Sequence, residues 1–192
     1  MEILHYTDLT HSQIKEFDRS KTVFFSSISP LETHGPHLPL GTDVFLSENL
    51  RDRIIDKIDD RRPGLTVVKM PTIAIGADAI PVDGSIRIRY RAILFSLLDT
   101  GASLSRLGFK YWLLTDNHGG PHHQIAIELA SRALRRKGFY LVAPFHESFR
   151  RMIDKDPDLL EKTGLAPHRV GGPQDAHAGT NETSLMLAAF PE

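Results

Sequence analysis

Residues 22–43 of this chain read TVFFSSISPLETHGPHLPLGTD, and the character of the sequence changes within them. The first seven residues form a compact apolar run that favours β-structure, which is typical of a strand buried on both faces. The remainder contains three prolines and two glycines, so it is expected to form a loop of fixed shape rather than a helix or strand. Apolar residues then recur at helical spacing from Asp43 to Ile58. A strand, a rigid loop and a helix therefore form the first unit.

Similar units follow along the chain. Further strands are predicted at 65–71, 111–115 and 139–144, and further helices at 11–17, 90–107, 121–137 and 182–190. Residues 72–91 are expected to be a long loop with a short strand at 85–88. This alternation predicts an α/β fold with three α/β/α layers and a mainly parallel central sheet. In such a sheet the ligand site lies beyond the carboxyl ends of the strands.

Metal-ligand side chains follow two of the predicted strands. Glu32 and His34 are two residues apart, so an extended backbone would direct both side chains to the same side. Asp43 would return towards them across the rigid turn, and His118 follows the strand at 111–115. Carboxylate and imidazole ligands together suit a divalent cation. The alternative is that these are solvated loop residues and that Asp43 only caps the next helix.

A third cluster lies at residues 171–184, GGPQDAHAGTNETS, where the last helix begins. Small residues around His177 allow its backbone to approach another surface closely. Glu182 has two interpretations: a favourable charge in the first helical turn, or a first-turn residue that also binds metal. The presence of the two earlier loops favours the second interpretation.

Composition restricts the class of protein. Apolar residues make up 41% and charged residues 24%, as in a soluble globular protein, and residues 1–192 are expected to form one domain. The net charge of -1 argues against binding to nucleic acid or to an anionic membrane. The absence of cysteine excludes disulfides, thiolate metal sites and a cysteine nucleophile. No signal peptide or membrane-spanning run is evident, so a cytoplasmic location is expected.

Three segments resemble the signature of the creatininase (creatinine amidohydrolase) family. They are ETHGPHLPLGTD at 32–43, DNHGGP at 116–121 and HAGTNETS at 177–184, and their order and separation also match. The resemblance covers nearly the whole chain. It implies an α/β/α domain with a two-metal centre that hydrolyses small cyclic or linear amides, often as a homohexamer.

The resemblance also implies a set of ligands. By motif position Glu32 and His118 would bind one metal, His34 the other, and Asp43 both. In creatininase a glutamate two residues after the histidine of the second loop completes the second metal. Here that place is Gly120. Glu182 is therefore expected to fill the gap, directly or through water.

The chemistry expected of such a centre is amide hydrolysis. Two zinc, manganese or iron ions would hold a hydroxide between them while one ion polarises the scissile carbonyl. His177 is predicted to deliver a proton to the leaving nitrogen. Glu182 is also predicted to be a catalytic residue. His37 is expected to orient one of the metal-binding side chains without binding the metal itself. The predicted function is hydrolysis of a non-peptide C–N bond in a small-molecule amide, lactam or formamide.

Departures from the family pattern support a second hypothesis, a non-catalytic metal- or ligand-binding protein on the same scaffold. Asn117 and Pro121 stand where the pattern has glycine and asparagine. The chain also ends at Glu192, directly after the last motif, whereas relatives generally continue. It is therefore expected to be short or truncated at that end.

Two features of the sequence bear on the class of substrate. Creatinine is disfavoured, because the single tryptophan, Trp112, lies in a predicted strand and not in a loop where it could pack on the substrate. The family also contains formamide hydrolases that act on ribosylaminopyrimidine monophosphates. Six arginines could supply a phosphate clamp, but for most of them a solvated surface position or a subunit contact is the favoured interpretation. They are Arg87, Arg89, Arg91, Arg150, Arg151 and Arg169.

Overall fold

The computed structural model describes residues 2–62, 64–164, 166, 168, 175 and 177–191. The strands in these ranges are β1 (Glu2–His5), β2 (Thr22–Ser27), β3 (Thr66–Lys69), β4 (Tyr111–Thr115) and β5 (Tyr140–Val142). The α-helices are α1 (His11–Glu16), α2 (Thr42–Arg61), α3 (Tyr90–Arg106), α4 (Pro121–Arg135), α5 (Phe145–Ile153), α6 (Pro157–Thr163) and α7 (Thr180–Ala189).

The strands form one sheet with the order β1-β3-β2-β4-β5, and every neighbouring pair is parallel. The mainly parallel sheet predicted from the sequence is confirmed. β1, α5 and α6 were not predicted. β1 pairs with β3 at the edge of the sheet, so its structure depends on a partner more than sixty residues away in the chain.

The strand predicted at 85–88 is wrong. The Ile86 amide donates to the Leu31 carbonyl at 2.9 Å, whereas the Ile88 amide donates to the Gly76 carbonyl at 3.0 Å. The segment is therefore extended, but its hydrogen bonds go to two separate loops and form no ladder with a strand.

Alternation along β2 builds the layers on both faces of the sheet. Phe24 lies in the core with Trp112 of β4, together with apolar residues of α3 and α4. Phe25 points to the opposite face and packs with Val67 of β3 and Ile55 of α2. The sheet is thus covered by α2 on one side and by α3 and α4 on the other, which confirms the three-layer prediction.

The topology leaves a crevice at the carboxyl ends of β2 and β4. From β2 the chain passes through α2 to β3 on one side, whereas from β4 it passes through α4 to β5 on the other side. The two loops therefore diverge between neighbouring strands, where open parallel sheets usually bind their ligands. Among the described residues no helix is both long and apolar enough to cross a bilayer.

Candidate metal centre

The loop after β2 is closed by its own hydrogen bonds. The Glu32 amide donates to the Leu40 carbonyl at 2.9 Å, and the Thr42 hydroxyl donates to the Pro39 carbonyl at 2.7 Å. These bonds fold the proline-rich run back on itself at the start of α2. Glu32 and His34 are consequently buried, with 1% and 0% of their surface exposed.

A first cluster is formed by Glu32, Asp43 and His118, all three buried. The Nδ1 atom of His118 lies 3.1 Å from Oε2 of Glu32 and 3.3 Å from Oδ2 of Asp43. The other ring nitrogen, Nε2, donates to the Ala77 carbonyl at 2.8 Å. That bond uses the Nε2 proton, so Nδ1 is the ring nitrogen that faces the two carboxylates.

A second cluster is formed by His34, His177 and Glu182. Nε2 of His34 lies 3.7 Å from Oε2 of Glu182, while its Nδ1 donates to the Glu32 carbonyl at 3.0 Å. Nε2 of His177 donates to the Thr33 carbonyl at 2.7 Å, which leaves Nδ1 with its lone pair free. The two imidazole rings lie 4.3 Å apart, centroid to centroid.

Asp43 connects the clusters. Its Oδ2 faces His118 at 3.3 Å and its Oδ1 faces Nε2 of His34 at 3.4 Å. Asn117, which departs from the family pattern, directs its Nδ2 to the same Oδ1 at 3.4 Å. Asp43 also lies in the first turn of α2, where the helix dipole stabilises a carboxylate. The substitution at 117 is therefore compatible with the position of Asp43.

The donor set fits divalent cations. Among the described side chains, the buried atoms Oε2 of Glu32, Nε2 of His34 and Oδ2 of Asp43 have no hydrogen-bond partner. Buried acceptors without a donor are costly, and a cation would satisfy them. His34, His118 and His177 each donate the other ring N–H to a backbone carbonyl, which is the usual arrangement of metal-binding histidines.

The electrostatics of the centre also favour positive charge. Burial alone would lower the pKa of His118, but the close contacts of its ring with the Asp43 and Glu32 carboxylates outweigh burial and raise that pKa to about 10. Burial likewise opposes the charge on His34, whose contact with Asp43 raises its pKa to about 9. Burial acts to raise the pKa of Asp43 and Glu32, yet their contacts with His118 lower both.

Every residue predicted to bind metal lies in one of the clusters. Glu32, Asp43 and His118 come together as the resemblance implied, and Glu182 approaches His34 from α7. His177, predicted as a proton donor, lies within the second cluster at a distance that suits a ligand. His37 shares a hydrogen bond of 3.0 Å with the Thr183 hydroxyl. It therefore contacts the first turns of α7, the helix that carries Glu182.

Gly120 stands where creatininase has a glutamate, and its surroundings require glycine. A Cβ atom there would overlap Nε2 of His118 and lie 2.7 Å from the Ala77 carbonyl oxygen. With His118 in this position, no side chain at 120 can reach the centre. The carboxylate of Glu182 occupies the neighbourhood of His34 instead.

A buried polar network behind His118 was not predicted. Asp116 accepts from the His118 amide at 2.9 Å and from the Ser29 hydroxyl at 3.1 Å, and Gln124 donates both to Asp116 and to the His118 carbonyl. His123 lies 3.4 Å from Asp116 with its ring edge against His118. Asp116 belongs to the second motif, but nothing in the sequence distinguished Gln124 from an ordinary helix residue.

The six arginines are not gathered in one place. Arg87, Arg89 and Arg91 line one cavity of about 460 Å³ together with His122. Arg150 and Arg151 instead form ion pairs with acidic residues of their own helix and of the segment after it: Glu147 and Asp154 with Arg150, Asp156 and Asp158 with Arg151. Arg169 lies outside the described residues, as do 171–174 and 176 of the third cluster.

The sequence was compared with curated proteins. Creatinine amidohydrolase of Pseudomonas putida is 28% identical over 174 residues, which cover 88% of this chain and 65% of that protein. Mycofactocin precursor peptide peptidase of Mycolicibacterium smegmatis is 27% identical over 169 residues, which cover 86% of this chain and 57% of that protein. The chain thus spans less than two thirds of these relatives.

Solved structures share the fold. A structure described as "Creatininase Mn" superposes with a TM-score of 0.71 at 23% identity, covering 99% of this chain and 74% of that one. A mutant creatininase described as "Zn-Zn type" also gives 0.71, at 24% identity, with 100% of this chain and 74% of that one covered. The family model described as "Creatininase: Creatinine amidohydrolase" matches residues 7–192. This chain therefore belongs to the creatininase family.

Proposed function

We propose that this protein is a metal-dependent amidohydrolase that cleaves a non-peptide carbon–nitrogen bond in an amide, a lactam or a formamide. The observation that carries the proposal is the position of Asp43, whose two carboxylate oxygens face His118 and His34 at 3.3 and 3.4 Å. One carboxylate shared by two clusters suits a two-metal hydrolase. Membership of the creatininase family supports the same reaction class.

Two divalent ions, zinc, manganese or iron, would be held by the chain's own residues. Glu32, Asp43 and His118 would hold one, and His34, Asp43 and Glu182 the other. Bound ions of this kind supply Lewis acidity, which activates water and polarises a carbonyl. The loop after β2 would supply Glu32 to one position and His34 to the other.

His177 is assigned to proton transfer at the leaving nitrogen. An amide nitrogen departs readily only when protonated, which requires a titratable side chain beside the scissile bond. The hydrogen bond to Thr33 and the contact with the His34 ring hold the His177 imidazole in one orientation. The lone pair on its Nδ1 would accept the proton that the attacking water loses, and Nδ1 would then pass that proton to the leaving nitrogen.

The position of Trp112 supports the prediction that creatinine is a disfavoured substrate. The side chain is completely buried, and its indole nitrogen donates to the Ser26 hydroxyl at 2.8 Å. It is therefore part of the core and cannot stack on a substrate ring. A formylaminopyrimidine nucleotide stays within the proposed class, since Arg87, Arg89 and Arg91 line a shared cavity.

Elemental analysis followed by a substrate screen tests the proposal. The protein loaded with zinc or manganese is expected to hold about two ions per chain. It is then expected to hydrolyse at least one member of a panel of amides, lactams and formamides. Absence of bound metal after loading would overturn the proposal. Bound metal without turnover, beside a related amidohydrolase that is active in the same panel, would favour the non-catalytic alternative.

A cytoplasmic homo-oligomer, hexameric by resemblance, completes the proposal. The support for the homo-oligomer is the apolar surface of α7, where Leu185 is 52% exposed and Leu187 is 64% exposed. Light scattering on the metal-loaded protein would give a multiple of 21.5 kDa, whereas a monomer mass would contradict the assembly.

A further inference from the structure

A cavity of about 390 Å³ lies between α2, α5 and α7. Most of its wall is apolar, and the main apolar side chains are Leu46, Leu50, Phe145, Met152, Leu185 and Ala188. A volume of this size falls within the range of about 300–1,000 Å³ that is typical of small-molecule sites.

The cavity adjoins the candidate metal centre. Asn117 and Glu182 both belong to its wall. Asn117 lies 3.4 Å from Oδ1 of Asp43, and Oε2 of Glu182 lies 3.7 Å from Nε2 of His34. A molecule whose reacting group sits at the two clusters therefore has this cavity beside it.

The chemistry of the wall indicates which part of a substrate would enter. Among the described residues that form the wall, Glu182 is the acidic one and Arg53 the basic one. Arg53 already donates through Nε to Oδ1 of Asn49 at 3.1 Å. The wall therefore differs from that of the other cavity, to which three arginines contribute: Arg87, Arg89 and Arg91. Removal of apolar surface from water is the main gain available to a ligand here.

We infer that the amide substrate carries an apolar substituent that occupies the cavity between α2, α5 and α7 while its amide group reaches the two clusters. This inference rests on the proposed function. It adds the substrate class: amides with an apolar chain or ring on the carbonyl or on the nitrogen. A small polar ring would leave the apolar wall in contact with water.

Hydroxamates provide a test that does not depend on turnover, because they chelate divalent metals. Calorimetry on the zinc-loaded protein would compare acetohydroxamate with two isomeric series, one lengthened at the acyl carbon and one at the nitrogen. In at least one series the affinity is expected to rise about fourfold for each methylene that enters the cavity. Four added methylenes would then give on the order of a hundredfold.

Two variants of neighbouring residues on α7 locate the effect. Ala188→Phe fills the cavity and is expected to abolish the difference in affinity between long and short hydroxamates. Leu187→Phe is the matched control, because Leu187 lines a different cavity, with His37 and Phe45, and is expected to leave that difference intact.

The outcomes separate the two proposals. If acetohydroxamate binds but neither series depends on chain length, the inference is wrong and the metal centre stands. A chain-length effect that survives in Ala188→Phe would also overturn the inference, since the chain would then bind elsewhere. If the zinc-loaded protein fails to bind acetohydroxamate, the proposed function fails and the inference fails with it.

Discussion

The two clusters of the candidate centre differ in what holds them in place. In the first cluster, Glu32, Asp43 and His118 come from the loops after the central strands and from the first turn of α2, and each is at most 6% exposed. In the second cluster only His34 has that origin. His177 and Glu182 come from α7 and the residues before it, and His177 is half-buried. The sheet therefore positions the first cluster, whereas the second also requires α7 to dock.

Replacing the carboxylate of Asp43, which faces both clusters, should weaken metal binding in both of them. Of all the variants, this one is expected to have the largest effect. Asp43→Asn keeps the shape of the side chain but removes the charge that faces both His118 and His34. We expect bound metal to fall from about two ions per chain to nearly none, with turnover reduced by more than about 10³. Elemental analysis and a rate assay measure both quantities.

Asp56→Asn is the matched control for that experiment, since Asp56 lies on the same helix with its side chain exposed. It should retain both metal content and turnover. If Asp43→Asn still held two ions, a carboxylate shared between the clusters would no longer be tenable.

Removal of an imidazole from the first cluster should separate the two positions. In His118→Ala the remaining ligands of that position are Glu32 and Asp43, whereas the second cluster is intact. We expect about one ion per chain, and a loss of turnover that approaches that of Asp43→Asn. A metal titration followed by calorimetry would show one binding step in place of two. Loss of both ions would mean that the clusters do not bind independently.

A smaller disturbance of the same cluster is available at Gly120. In Gly120→Ala the added Cβ would overlap Nε2 of His118, so the ring must turn away from the Ala77 carbonyl. We expect the affinity of one metal position to fall by roughly 10–100-fold, as is usual when a supporting partner of a metal-binding histidine is lost.

Gly138→Ala controls for the general cost of placing alanine at a glycine position. Gly138 has a φ of 77° and an added Cβ there would meet nothing within 4 Å, so that substitution strains the backbone far from the centre. Thermal unfolding should show it destabilised while its metal affinity is unchanged. Equal metal affinities in the two variants would contradict the role assigned to Gly120.

The second cluster should respond differently, because His177 is assigned to chemistry. In His177→Ala both ions are expected to remain, since Asp43, His34 and Glu182 still surround the second position. Turnover should fall by about 10²–10⁴, the usual contribution of a general acid or base. Loss of one ion in this variant would instead identify His177 as a required ligand.

Much of the first cluster could be predicted because its determinants are local. The change from an apolar run to prolines and glycines within 22–43 predicted a strand and then a loop. The parallel sheet then placed His118 at the same edge as Glu32 and His34. The sequence could not predict which ring nitrogen of a histidine faces the centre, because that depends on the backbone carbonyl to which the other ring nitrogen donates. For His118 this is the carbonyl of Ala77, which lies 41 residues away in the chain.

Two of the failures, at residues 85–88 and at β1, have the same physical cause. Residues 85–88 alternate as a strand would, yet their amides bond to Leu31 and Gly76 in separate loops. β1 has too few residues for a periodic pattern and exists because β3 offers a free edge. In both cases the backbone state depends on a hydrogen-bond partner in a distant segment, which a local pattern does not contain.

Removal of metal should have the smallest effect of these experiments, but it should still distinguish the two clusters. Without cations, the buried carboxylates of Glu32 and Asp43 still contact His118, and the sheet still holds their backbone. Docking of α7 would lose the attraction that metal provides at Glu182, although the Ala178 amide still donates to that carboxylate. After chelation, hydrogen exchange at 178–184 should therefore rise by roughly tenfold, while exchange at 111–116 changes little. Equal increases in both segments would mean that α7 is held as firmly as the sheet, and that the two clusters form one cooperative unit.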